Sequence, residues 1–202
     1  MTPLRVLAPF VRKRAQTAAS LCDLCAAPIG ETHRHVVDVE ARRMECACDT
    51  CARVFDAETG RHRTVPTRVL ADAAAPTFEE WRALGVPVGL AFFVRPSTMG
   101  RFVGIFPSPA GATESELPAE PWAKIASKSA ALRELRDDVE ALVVRCTRTG
   151  SSQCFLAPID VCYEMMGSLR ASWTGFDGGD EARAVVDRFI TDLALRASTE
   201  VA

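Results

Sequence analysis

Cys22-Asp23-Leu24-Cys25 and Cys46-Ala47-Cys48-Asp49-Thr50-Cys51 decide the reading of this chain: two Cys-x-x-Cys pairs with 22 residues between them. Each pair can wrap two thiolates round one ion, and two such knuckles complete a tetrahedron. Between them lie His35-Val36-Val37-Asp38-Val39 and Arg43-Met44-Glu45-Cys46-Ala47, two short segments of strand character around Glu40-Ala41-Arg42. That pattern predicts a β-hairpin carrying the first knuckle to the second. Cys22, Cys25, Cys48 and Cys51 are therefore the expected metal ligands, in a zinc-ribbon or rubredoxin-like module.

Cys46 is a surplus thiolate beside the second knuckle, and His33 and His35 lie early in the hairpin. All three are alternate ligands, because zinc accepts imidazole nitrogen as well as sulfur; a polar strand edge is the plainer reading of the histidines. Zinc and iron both take tetrahedral thiolate sites. Rubredoxin knuckles place glycine after the second cysteine, where this chain has Ala26 and Ala52, which favours zinc and keeps iron as the alternative. The first apolar run, Leu4 to Val11, is short, broken by Pro9 and followed by Arg12-Lys13-Arg14. It does not read as a secretory signal, so reduced thiols and a cytoplasmic location are expected rather than disulfides.

The 202 residues are 48% hydrophobic, with 24 basic and 26 acidic side chains. A net charge of −2 argues against a nucleic-acid binder on the scale of the whole chain, and no apolar run is long enough to span a bilayer. The organisation expected from composition is a basic flexible arm over 1–20, the metal ribbon over 21–60, a linker over 61–76 and an α+β domain over 77–202.

In that last segment, Thr77 and Glu80 form a capping box that starts a helix ending at Gly85. Val86 to Val94 and Arg101 to Phe106 read as strands, Pro121 to Leu135 as helix, and Val139 to Thr147 and Gln153 to Ala157 as strands. Two amphipathic helices follow, Asp160 to Trp173, with Asp160 as its N-cap, and Asp180 to Ala197. An antiparallel sheet of about four strands packed with helices is the expected architecture.

Cys-x-x-Cys with Cys-Ala-Cys-x-x-Cys, Gly85-Val86-Pro87-Val88-Gly89-Leu90-Ala91-Phe92-Phe93, Pro107 to Ser115, and Cys162-Tyr163-Glu164 leading to Trp173-x-Gly175 together resemble an uncharacterised bacterial family, mainly of actinomycetes. Its members are encoded near uptake nickel-iron hydrogenases and their maturation factors. The resemblance implies an accessory role with a hydrogenase subunit or maturation factor as partner, and assigns no chemistry.

Catalytic constellations are scarce. His33, His35 and His62 all fall in or near the ribbon, and neither a nucleophile elbow nor a phosphate-binding glycine loop is present. Cys146, Cys154 and Cys162 read as core thiols. Pro107 to Ser115, with Ser108, Thr113, Glu114 and Ser115, is the stretch that reads as a binding loop. Three functions follow in order: a non-catalytic metal-ribbon accessory protein acting through a protein partner, a rubredoxin-like electron carrier, and an enzyme with a site near 107–115.

Overall fold

The computed structural model describes residues 20–55, 58–108, 111–147, 149–175 and 178–199; the basic arm, apart from Ser20, lies outside them. The fold is α+β and contains two antiparallel sheets. Strands β1 (Arg34–Asp38), β2 (Arg43–Ala47) and β3 (His62–Thr64) form one in the order β2-β1-β3. The hairpin expected between the knuckles is β1–β2, with Val36 opposite Glu45.

The second sheet has six strands rather than about four: β4 (Leu70–Ala71), β5 (Leu90–Val94), β6 (Val103–Ser108), β7 (Gly111–Glu116), β8 (Glu140–Cys146) and β9 (Ser152–Pro158), in the order β4-β9-β8-β5-β6-β7. The two additional strands are its edges. Two-residue β4 is too short to show a period, and β7, Gly-Ala-Thr-Glu-Ser-Glu, lacks the apolar alternation that announces a half-buried strand. The stretch read as a binding loop is thus a β6–β7 hairpin, with Ser108 paired to Gly111.

Strands β5 and β8 are buried on both faces because helices cover both. Successive side chains point to opposite faces, so Leu90, Phe92 and Val94 join Ala141 and Val143 under α5 (Ile159–Ser172) and α6 (Gly179–Thr199). Ala91 and Phe93 join Leu142 and Val144 on the other face with α2 (Phe78–Ala83), α3 (Ala119–Lys128) and α4 (Ala131–Glu134). The Thr77–Glu80 capping box is present. Strand β5 starts later than its apolar run suggests. At Gly89 a β-carbon would lie 2.6 Å from the Cys146 carbonyl oxygen, so glycine is required by the close approach of the two backbone segments.

The helix expected over 121–135 is two helices. Between α3 and α4 the fully buried Ser129 is extended, its hydroxyl bonded to Asp72 and accepting the Leu132 N–H at 3.1 Å. At the break this buried polar pair finds its partners, Asp72 also accepting the Ala131 N–H at 3.3 Å. Asp160 lies inside the first turn of α5, with Pro158 as the N-cap, so it is not the cap the sequence suggested.

The segment read as a linker, 61–76, carries β3 and β4. Val65 and Val69 within it are fully buried in the same cluster as Val37, Val39, Phe92 and Leu169. Arg68 grips the buried Glu140 carboxylate with Nε and Nη2 at 2.7 and 3.0 Å, and Arg63 pairs with Asp138 at 2.8 Å. Composition suggested a connector here, but its valines and arginines are what join the two sheets.

Candidate metal centre

The first knuckle is a closed turn. Cys22 N–H donates to the Ala27 carbonyl and Ala26 N–H to the Cys22 carbonyl, both at 2.8 Å, and a bridge pairs Leu21 with Pro28. Ala26 takes the left-handed conformation at φ 59°, a turn that glycine makes freely and that costs an L-residue about 1–2 kcal/mol.

The second knuckle is built differently. Cys48 is the N-cap of α1 (Asp49–Ala52), its sulfur accepting the Cys51 N–H at 3.4 Å. Thr64 of β3 donates its hydroxyl to the Ala52 and Phe55 carbonyls beyond it, at 2.5 and 3.0 Å.

Asp23 brings the two together: its N–H donates to the Cys46 carbonyl at 2.8 Å, and its carboxylate accepts the Cys46 N–H at 2.7 Å. Beneath them a small core of Val36, Ala47 and Ala52 packs with Leu24 and Phe55.

The four sulfurs of Cys22, Cys25, Cys48 and Cys51 lie within 4.8 Å of one another, with Cys25 and Cys48 at 3.7 Å. A tetrahedron with metal–sulfur bonds of about 2.3 Å has edges of about 3.8 Å, so the donor set fits one ion. Its electrostatics also favour one. Backbone N–H groups, that of Cys48 foremost, lower the Cys22 thiol to about 6. The Cys51 thiol is pushed up to about 12 by its hydrogen bonds with the Cys25 and Cys48 sulfurs and by burial. Four thiolates this close ionise together only around a cation. A bound zinc or iron ion would be held by these four side chains and would bring the positive charge that stabilises all four as thiolates.

The alternate ligands do not join this set. Cys46 groups instead with His33 and His35. A third group, Asp38, Glu45 and His62, is an ion-pair cluster: Arg61 grips Asp38, with Nη2 at 2.7 Å, and Arg43 pairs with Glu45. Arg61 holds the Asp38 carboxyl well below the usual carboxylate range.

Of the residues read as a binding loop, Ser108, Thr113 and Ser115 bond within their own hairpin and Glu114 reaches outside it. Thr113 donates to the Ser108 hydroxyl at 3.0 Å, Ser108 to the Gly111 carbonyl at 2.9 Å and Ser115 to the Glu116 carbonyl at 3.2 Å. Glu114 pairs with Arg42, at the turn of the β1–β2 hairpin, at 2.8 Å. Cys146, Cys154 and Cys162 are buried; burial pushes the Cys162 thiol up, opposite to what a reactive thiol at a helix start requires.

Sequence reasoning missed Asp23 as the clamp and Asp160 as the partner of His35 at 2.9 Å. An aspartate inside a Cys-x-x-Cys pair is a weak hint of the first. No local signal marks the second.

The two-knuckle ribbon followed by the helix-covered sheet is the arrangement over which a family model matches residues 21–197. The chain belongs to DUF5947. This is a family of unknown function, so membership fixes kinship and leaves chemistry to the site. No curated protein and no solved structure matches the chain. No described helix is long and apolar enough to cross a membrane.

Proposed function

We propose that this DUF5947 chain is a non-catalytic accessory protein whose ribbon, stapled by one zinc ion, forms a rigid face for a protein partner. The observation that carries this reading is the full set of four thiolates, which leaves none of the open positions a catalytic zinc needs. The Arg42–Glu114 ion pair supports it by tying the β1–β2 turn to the β6–β7 hairpin, so that the two offer adjoining surface. The sequence resemblance described above points to a nickel-iron hydrogenase component or its maturation machinery as the partner, in the cytoplasm.

Tagged protein recovered from its own cells, with a deletion strain alongside, tests the reading. Co-purification of a hydrogenase component and loss of assembled hydrogenase on deletion are expected. Normal hydrogenase metal content and activity without the gene, and no such component on the tagged protein, contradict it.

A second reading, an iron-bearing electron carrier, is favoured by one specific observation. Ala26 makes the left-handed turn despite its side chain, so the missing glycine does not prevent a first knuckle of the rubredoxin kind. Stoichiometric iron with a reversible visible spectrum in the purified protein would establish the carrier in place of the zinc platform.

A further inference from the structure

Beside the four-thiol set, the β1–β2 hairpin gathers a second donor group. Cys46 stands opposite His35 in the β1–β2 register, and His33, two residues before His35, lies on the same side of the chain. One donor atom from each of the three lies within 4.8 Å of the others, and the two imidazole centroids are 4.8 Å apart.

The tautomers are set by what each ring touches. His33 Nδ1 lies 3.0 Å from the Gly30 carbonyl oxygen. A carbonyl only accepts, so Nδ1 carries the proton and donates, leaving Nε2 with its lone pair. That Nε2 atom is buried with no hydrogen-bond partner, a state that costs about 1–3 kcal/mol unless something accepts the lone pair. His35 Nδ1 lies 2.9 Å from Asp160 Oδ2; a carboxylate accepts, so Nδ1 again donates and Nε2 again keeps the lone pair that can bind an ion. A histidine whose far nitrogen is held by a carboxylate or a carbonyl is the arrangement that orients metal ligands. Here both histidines have it, one with each acceptor.

We propose that His33, His35 and Cys46 form a second metal site, independent of the four-cysteine centre, for a divalent ion of the zinc class, with Asp160 as the residue that positions His35. Two imidazoles and one thiolate suit zinc. Three protein donors leave one position of a tetrahedral ion for a water or an outside donor. Because Asp160 is on α5, the site spans the ribbon and the helical layer of the larger sheet. The proposal does not rest on the accessory reading above.

Zinc uptake by the full-length chain, reduced and saturated with zinc, gives the first test. Two equivalents per chain are expected for the parent and one for His33→Ala and for Cys46→Ala. Cobalt spectra of the same proteins assign each equivalent, since four thiolates and one thiolate give different charge-transfer bands. One equivalent with the four-thiolate spectrum in the parent, or two in either variant, overturns the proposal. One equivalent with the single-thiolate spectrum would instead overturn the four-cysteine centre. Asp160→Asn keeps the size of the side chain while weakening its hold on His35. It should lower affinity for the second ion about 10- to 100-fold and leave the first unchanged; equal affinity for the second ion in this variant and the parent removes Asp160 from the site.

Discussion

The ribbon and the six-stranded sheet are both antiparallel, but different forces hold them. In the sheet, β5 and β8 have apolar residues on both faces and helices over each, so Phe92, Phe93, Leu142 and Leu156 are removed from water. The hydrophobic effect suffices there, at about 1.5–3 kcal/mol for each large side chain. At the knuckle end of the ribbon the buried apolar cluster is Val36, Ala47 and Ala52. These are too small to offset an ordering cost of about 1–2 kcal/mol per residue. On the reading proposed above, a metal held by the four thiols would provide what is missing, since a structural zinc in a small finger contributes on the order of 10–16 kcal/mol. The difference also runs through the ribbon itself: Val37 and Val39, at its other end, belong to the core of the larger sheet. The hairpin thus has apolar contact at one end and the candidate metal centre at the other.

Cys25→Ser should break this contrast most severely. With three thiolates left, the metal-linked part of the ribbon's stability, on the order of 10 kcal/mol, should largely disappear. Zinc content should fall and protease cleavage should concentrate between 20 and 55, while the far-UV dichroism of the helices changes little.

Glu140→Ala breaks the other side. It leaves Arg68 without the carboxylate that it grips beside β8, and denaturant unfolding should show a loss of about 1–3 kcal/mol with metal content unchanged.

Acid sharpens the comparison, because Asp38 lies in the ribbon. Its carboxyl is held below the ordinary value by Arg61, so the stability it contributes is complete above the unfolded pKa of about 3.9 and is lost as the pH falls through the folded value. Thermal melts of the parent and of Asp38→Asn should therefore differ most near neutrality and converge as the pH falls below about 4.

The smallest effect expected is a gain. Ala26→Gly relieves the left-handed strain at the first knuckle and should raise stability by about 1 kcal/mol, seen as a higher melting temperature of the zinc-loaded protein.

Much of this contrast was legible in the sequence, for different reasons in each half. The clustering of the four cysteines was visible because metal chemistry fixes such spacing, and β5, β8 and β9 because buried strands read as apolar runs. The α2 start was visible because Thr77 and Glu80 satisfy backbone groups three residues apart. What stayed hidden depends on partners far along the chain. Residues 61–76 read as a connector because the reason for Arg68 is Glu140, 72 residues later. His33 and His35 read as a polar edge because Asp160 is 125 residues from His35. Ser129 breaks a helix because of Asp72, 57 residues earlier. The β7 edge was hidden for a local reason, its polar composition.

Amide hydrogen exchange of the zinc-loaded and the chelated protein tests the central claim most directly, that metal holds the knuckles while apolar burial holds the sheet. Protection should be lost on chelation over 22–28 and 46–53 and retained in β5 and β8. Unchanged protection at the knuckles, or an equal loss in β5 and β8, would contradict it.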